Sequence, residues 1–527
     1  MIIINSAAYV ISEFQSEFGR IPPSMLPLGN KKLIEHQVES LISSFPDEKI
    51  VLSLPASFED SMMDFGDELS SKIQVIFVPD FFTLSESVLY ILNVQESNES
   101  SVRILHGDTL FSGYPAEKDI ISVSDSVGEY SWELDSEDGV NKLVWSGFFS
   151  FSSRSMLIKS LALSKSSFVD AVKYYKANIG MDSVVVKEWY DLGHINTYFK
   201  SRSTITTQRS FNSLVVNDGV VVKKGNPEIK ILSEGQWFER LPSKLRKYIP
   251  QFIESGVDET GFPFYSIEYL TISPLNEVFV HGKNSIDYWN MIFRLSGKLF
   301  SDFRNFSNVD ADELRSEVQS LYCDKTHRRI TEYMSQVSGG GHTPQYYDSI
   351  EFPSLNKIIS DCIDKTLALP IVPCVLHGDF CFSNVLFDSR SSALKVIDPR
   401  ALNESNEFTL EGDQKYDLAK LSHSVIGLYD LIISGRYKIK NIGTKDVSLE
   451  FYDSDRLEEI QETFLKTEFI PGISTRDIMP LTALLFFSML PLHSDRPDRQ
   501  KAMLLNAIRL YKTYVYEPVR KYEKDFL

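Results

Sequence analysis

Short apolar runs alternate with amphipathic stretches over the first 200 residues. Ile2 to Ile4, Lys49 to Leu54, Ile73 to Val78 and Val102 to Leu105 are mostly aliphatic, with no sustained polar face. That is the pattern of strands covered on both sides. Between them, Leu33 to Ser44 and Ser85 to Leu92 repeat apolar residues at helical spacing. The alternation predicts an α/β domain with a parallel sheet over residues 1–200.

The pattern changes after a polar, turn-rich linker at 201–212. Leu214-Val215-Val216, Asn217-Asp218-Gly219 and Val220-Val221-Val222-Lys223-Lys224 predict a hairpin, because Asn and Gly supply the backbone angles of a tight turn. This small β-rich lobe spans 213–286. From Tyr288 onward helical spacing dominates, and 287–527 reads as a helical lobe broken by the strand-like Val385 to Phe387 and Ala393 to Ile397. Gly339-Gly340-Gly341 marks a flexible loop, read as a moving lid. No repeat period points to a solenoid or propeller.

Composition narrows the function classes. The 527 residues carry 72 Asp and Glu against 54 Lys and Arg, a formal charge of -18. This opposes nonspecific attraction to nucleic acid and anionic membranes, so neither is an expected partner. The four cysteines form no CxxC pair, and no segment approaches the ~20 apolar residues of a membrane span. A reducing cytoplasm is the expected location, without membrane insertion. Oligomeric state is not readable from length or acidity.

Candidate chemistry concentrates in the helical lobe. His377-Gly378-Asp379 is followed by Asn384 and then by Ile397-Asp398-Pro399-Arg400. Two carboxylates and an amide at this spacing suit ATP and Mg²⁺ phosphotransfer: Asp379 orients a substrate hydroxyl and accepts its proton, while Asn384 and Asp398 hold Mg²⁺ against phosphate oxygens. His377 reads as a brace for this loop rather than the base. In the β-rich lobe Lys223 or Lys224 is the phosphate-contacting lysine, with Lys223 favoured, and Glu234 is its ion-pair partner. Glu268-Tyr269-Leu270 reads either as an interlobe connection whose backbone meets adenine, with Glu268 and Leu270 at its ends, or as a buried aromatic strand. Asp413 and Asp417 flank a turn entering a helix, where a structural role for Asp417 outweighs substrate binding.

On these residues, about 209 to 500 resembles the aminoglycoside phosphotransferase and choline kinase-like family. The resemblance implies an α+β two-lobed protein-kinase-like small-molecule kinase. Lys223 and Glu234 are its phosphate-contacting lysine and partner, Asp379 its catalytic aspartate, and Asn384 and Asp398 its metal ligands. ATP and Mg²⁺ are its cofactors, and a small hydroxylated metabolite is its substrate. Ser210-Phe211-Asn212-Ser213-Leu214 stands where a glycine-rich phosphate loop is expected.

Residues 1–200 resemble, more distantly, the sugar-phosphate nucleotidyltransferases, through Gly19-Arg20, Pro23 to Leu28, Leu33 to Gln37, His106-Gly107-Asp108, Ser146 to Phe151 and Trp189 to Gly193. The resemblance implies an α/β nucleotidyltransferase-like domain with Asp108 and Asp191 as a metal-binding pair and CTP, UTP or GTP as its nucleotide. Two departures stand out: Ala7 to Ser12 lacks a compact glycine-rich loop, and Ser24 occupies the position of the family's usual lysine, a role Lys31 or Lys32 would have to fill. The expected function is phosphorylation of a small sugar, polyol or amino-alcohol, followed by nucleotidyl transfer to an activated surface-polysaccharide (capsule) precursor. Two alternatives are a kinase fused to a noncatalytic sugar- or nucleotide-binding domain, and an inactive binding scaffold.

Overall fold

The computed structural model describes residues 1–58, 67–95, 100–125, 133–137, 142–206, 212–337, 346–347, 350–351, 353–441, 446–452 and 455–516. The glycine run at 339–341 and linker residues 207–211 lie outside them. The chain forms two compact units, one of residues 1–206 with 281–284 and the other of 207–280 with 285–527.

The main strands of the first unit, in chain order, are β1 (Ile2–Asn5), β2 (Ile50–Pro55), β3 (Ile73–Val78), β4 (Val102–His106), β5 (Thr109–Phe111), β6 (Ile120–Asp125), β7 (Leu134–Glu137), β8 (Lys142–Phe151), β9 (Asp182–Val185) and β10 (Trp189–Asp191). The main sheet runs β9-β6-β8-β4-β1-β2-β3, with β7 on β8, while β5 and β10 form a separate ladder. The expected parallel sheet is correct only for part of it. β1, β2, β3 and β4 pair in parallel, but β8 is antiparallel to β4, β6 and β7. Among the described residues no helix stands between strands β6, β7 and β8, and only a crossover returns a chain parallel to itself. Helix α1 (Leu33–Ser44) and helix α2 (Leu84–Val94) link the parallel strands. Thr83 caps α2, its hydroxyl accepting from the Glu86 N–H while the Glu86 carboxylate accepts the Thr83 N–H.

In the second unit β11 (Asn212–Asn217) and β12 (Val220–Gly225) form the expected hairpin. Asp218 and Gly219 both adopt positive φ, 47° and 77°, the requirement of a two-residue turn that follows strand twist. With β13 (Phe252–Val257) and β14 (Pro263–Glu268) the order is β11-β12-β14-β13, all antiparallel, and helix α3 (Glu228–Arg240) packs on this sheet. The rest is helical. Helix α4 (Ile286–Arg304), α5 (Lys325–Gln336), α6 (Gln414–Val425), α7 (Met479–Met489) and α8 (Pro497–Tyr511) are its main rods. α7 is buried almost all round, as a helix with no polar stripe must be. Between α5 and α6 a hairpin of β15 (Val385–Asp388) and β16 (Ala393–Val396) interrupts the helices. Trp237 on α3 donates its indole N–H to the Leu376 carbonyl at 2.9 Å, which ties the sheet lobe to the segment ahead of Asp379.

Candidate active sites

Residues 376–400 of the second unit form two loops joined by the β15–β16 hairpin. His377 ties them together. Its ring is fully buried, Nδ1 accepting the Asp379 N–H at 3.2 Å and Nε2 lying 3.0 Å from the Ile397 carbonyl. That pattern makes Nε2 the protonated nitrogen of a neutral ring. Burial lowers the His377 pKa to about 4, against the upward pull of Asp379, so the ring stays neutral at ordinary pH. Asp417 on α6 clamps the same loop from below, one oxygen accepting the His377 N–H at 2.9 Å and the other the Gly378 N–H at 2.8 Å. Its carboxyl is pushed up to about 7 by burial, which the two N–H bonds oppose. Asp413 caps α6 by accepting the Lys415 N–H.

Asp379 is thereby fixed at the mouth of a cavity of about 750 Å³ shared with Asn384 and Asp398. The Asn384 amide donates to the Asp379 carbonyl at 3.0 Å and to its carboxylate at 2.8 Å. Asp398 has φ of +56°, a conformation that L side chains rarely adopt and that clusters where function dictates side-chain direction. Lys223 points inward from β12, 2.8 Å from Glu234 and 2.9 Å from Asp398, whereas Lys224 pairs with Asp258 on the other face. Tyr265 also donates to Glu234, at 2.9 Å. Burial opposes the Lys223 charge, but Asp398 and Glu234 outweigh it and raise its pKa. Glu268 and Leu270 are not among the described residues lining this cavity. The Glu268 carboxylate accepts the Gln251 N–H, and the Tyr269 N–H is taken by the Gly219 carbonyl at 2.7 Å.

The donor set fits Mg²⁺. The Asn384 amide oxygen and the Asp398 carboxylate are hard oxygen ligands on one cavity wall, and Mg²⁺ takes one or two such protein ligands and completes its shell with phosphate and water. Among the described residues no group of three or more His, Cys, Asp or Glu converges as an all-protein metal site.

Cations to which the sequence motifs give no role also stand at this site, Arg400 at the end of the Ile397 to Arg400 motif and the others outside it. Lys420, one turn beyond Tyr416 on α6, bonds Asp379 at 2.9 Å. Burial pushes the Asp379 carboxyl up, but Lys420 overcomes it and brings the pKa to about 2. Arg400, Lys325 and Arg328 converge on Glu404, with Lys325 at 3.1 Å and Arg328 at 2.7 Å.

In the first unit Asp108 and Asp191 meet through the β5–β10 ladder, which sets Asp191 opposite Thr109. The Leu192 N–H donates to the Asp108 carbonyl. Gly193 separates the two carboxylates so closely that a β-carbon there would sit 2.5 Å from Asp108 and 3.4 Å from Asp191. Burial raises the Asp108 pKa, and Asp191 adds to the rise against the pull of His106. Asp191 already accepts from the Gly193 N–H at 3.0 Å and the Thr197 hydroxyl at 2.9 Å, with the His194 ring at 2.9 Å. Asp108 lines a cavity of about 240 Å³ with Ser6, Tyr9 and Pro23. Ser24 is fully buried, its N–H and hydroxyl both bonded to the Ser6 hydroxyl at 3.0 and 2.8 Å. Lys31 pairs with exposed Glu39, Lys32 is buried, and neither lines the cavity.

No protein-family model matches this chain, and no curated protein matches it. Solved structures of two kinds resemble it. The nucleoside-diphosphate-sugar pyrophosphorylase from Vibrio cholerae RC9 matches with a TM-score of 0.32 and 13% identity over 38% of this chain and 99% of that one. HddC from Yersinia pseudotuberculosis matches with a TM-score of 0.31 and 19% identity over 38% and 98%. The GDP complex of a variant aminoglycoside 2′-phosphotransferase IIIa matches with a TM-score of 0.37 and 12% identity over 58% and 89%. The likenesses are to nucleotidyltransferase-like and kinase-like folds, at low identity and partial coverage. They do not bear on substrate.

The two cavities differ in charge. Six cations and three carboxylates line the cavity of the second unit, the cations being Lys230, Lys325, Arg328, Arg329, Arg400 and Lys420. Among the described lining residues of the first unit's cavity there is no lysine or arginine. Among the described residues of the whole chain no helix is long and apolar enough to cross a membrane.

Proposed function

We propose that the second unit is an ATP- and Mg²⁺-dependent phosphotransferase acting on a hydroxyl of a small sugar, polyol or amino-alcohol. The observation that carries this reading is Lys223 bonded at once to Glu234 and Asp398, with Asp398 sharing a cavity with Asn384 and Asp379. Glu234 holds the Lys223 ammonium where triphosphate oxygens arrive. Bound Mg²⁺ would be held by Asn384 and Asp398 and would neutralise charge on the transferred phosphate. Asp379 aligns the acceptor hydroxyl and takes its proton as the oxygen bonds to the γ-phosphorus, the γ-phosphorus bond to the bridging oxygen breaks, and ADP leaves. With its pKa held low, Asp379 is a weak base, which suits a late proton transfer in a reaction governed by positioning. ADP release against a panel of hydroxyl compounds tests the reading. Turnover should require Mg²⁺ and collapse in Asp379→Asn, and persistence of most turnover in that variant would overturn the assignment of the base.

We infer that the first unit binds a nucleotide (CTP, UTP, GTP or ATP) or a sugar phosphate without transferring a nucleotidyl group. Buried Ser24 is pinned to Ser6, the described lining holds no lysine or arginine, and Arg20, stacked on the lining Tyr9, is paired with Asp80, which together support recognition over transfer. The competing reading, kinase and nucleotidyl transfer in sequence toward a surface-polysaccharide precursor, requires pyrophosphate release that depends on Asp108 and Asp191.

A further inference from the structure

The cation-rich wall beside Asp379 has no counterpart in the catalytic roles just assigned. It starts at Lys420, bonded to Asp379, and continues through Tyr416, whose ring has the charges of Arg400, Lys325 and Lys420 at 5.7, 5.9 and 6.0 Å. Arg400, Lys325 and Arg328 then share the single carboxylate of Glu404. Glu317 and Asp379 also act on Arg400 at longer range, but among the described ion pairs Lys325 and Arg328 have no carboxylate besides Glu404, and the surplus faces the cavity. The phenol of Tyr416 reports that surplus: burial pushes its pKa up, yet Lys325, Lys420 and Arg400 bring it below the ordinary value. The chain as a whole carries -18, so the wall is a local reversal of sign. Lys223 and Glu234, where the triphosphate is assigned, are not among the described residues lining this cavity.

We propose that the acceptor carries a phosphate of its own, gripped by Lys325, Arg328 and Arg400 beside Tyr416. The substrate is then a hydroxyl compound already phosphorylated, a sugar phosphate or polyol phosphate, and the product is a bisphosphate. Two guanidinium forks and an ammonium match a phosphate dianion in both charge and donor geometry. The acceptor's phosphate is a spectator: its bonds stay intact while a separate hydroxyl oxygen bonds to the γ-phosphorus of ATP, ADP departs, and the hydroxyl proton passes to Asp379. A cationic amino-alcohol is repelled by the same wall. The inference rests on the phosphotransferase reading and narrows its substrate class.

The test uses the full chain with ATP and Mg²⁺ and follows ADP release with glucose 6-phosphate, fructose 6-phosphate, glycerol 3-phosphate, glucose, glycerol, glucosamine and glucuronate. Turnover is expected with the phosphorylated members alone. Lys325→Ala/Arg328→Ala should raise the KM of the acceptor at least tenfold and leave the KM of ATP within twofold. Arg328→Gln, at a side chain 58% exposed, should show the same direction if the double variant fails to fold. Equal turnover of glucose or glucuronate would overturn the phosphate grip while leaving the kinase standing. A rise in the KM of ATP instead would assign the wall to the nucleotide and overturn it too. If nothing in the panel turns over, calorimetric titration with glucose 6-phosphate decides. Binding lost in the double variant upholds the grip even as the kinase reading falls, and binding that is absent, or unchanged by the substitutions, ends the proposal.

Discussion

The two units place paired acidic groups in comparable settings and surround them differently. In the second, each acidic group at the site is met by a cation: Asp379 by Lys420, Asp398 by Lys223, Glu404 by three partners. In the first, Asp108 and Asp191 face each other across Gly193, and hydroxyl and backbone donors satisfy Asp191. A fold can keep its carboxylates without the positive charge that phosphate chemistry uses. On the proposed reading, the difference teaches that charge compensation, more than the presence of aspartates, separates a site suited to phosphoryl transfer from one suited to recognition.

The sharpest way to break this contrast is at Asp379. Asp379→Asn keeps the side-chain shape and removes proton acceptance, so turnover should fall by about a hundred- to ten-thousand-fold with little change in melting temperature. Lys223→Met comes next. It removes the nearer cation from the fully buried Glu234 and leaves it Lys230 at 3.7 Å and the Tyr265 hydroxyl; breaking a buried pair costs up to about 3–5 kcal/mol, so both thermal stability and ATP binding should drop. Asp417→Asn replaces an acceptor oxygen with a donor facing a backbone N–H. At about 1.5–3 kcal/mol for a hydrogen bond to a charged group, it should lower stability and loosen the loop, detectable as faster amide exchange at Gly378.

Lys420→Met tests the same contrast through pH. In the native protein Lys420 holds the Asp379 carboxyl near 2, so the base stays ionised at all working pH values. Without Lys420 the upward push of burial meets only the weaker pull of His377 and Lys230 at that carboxylate, its pKa rises, and the acid limb of kcat/KM should move to higher pH. An unmoved limb would show that Lys420 does not control Asp379. The smallest expected effect lies in the first unit, where incubation with CTP, UTP, GTP or ATP and sugar phosphates should release no pyrophosphate. Release that disappears in Asp108→Ala would erase the distinction drawn between the two cavities.

Much of the fold was legible because it is written locally. The strands between residues 2 and 105 are mostly apolar runs, and Asn217-Asp218-Gly219 contains its turn chemistry within three residues. The mixed sheet was not legible, since the direction of β8 depends on a connection whose pattern says nothing of pairing partner. At the site, Asp379, Asn384 and Asp398 stood out by close spacing. Lys420 did not, because it reaches Asp379 from a helix far along the chain. The helical period nevertheless places it one turn from Tyr416 and Asp417, a signal that reading Asp417 only as a helix-start residue passed over. Lys325 and Arg328 meet Glu404 only through tertiary folding, which no local pattern announces, whereas Arg400 stands four residues before Glu404 at the end of the Ile397 to Arg400 motif.

Helix α6 makes one rod answer to three masters. Tyr416 stands beside the cationic wall, Asp417 clamps the backbone of the loop, and Lys420 bonds Asp379, the proposed base. Each added residue turns an α-helix by about 100°, so a one-residue insertion or deletion ahead of Tyr416 would swing all three functions off target together. New substrate preference must therefore arise where the parts are independent, on α5 and around Arg400, while α6 stays frozen. A directed-evolution campaign that randomises Lys325, Arg328 and Arg400 and spares 416–420 has room to change what is phosphorylated without dismantling how.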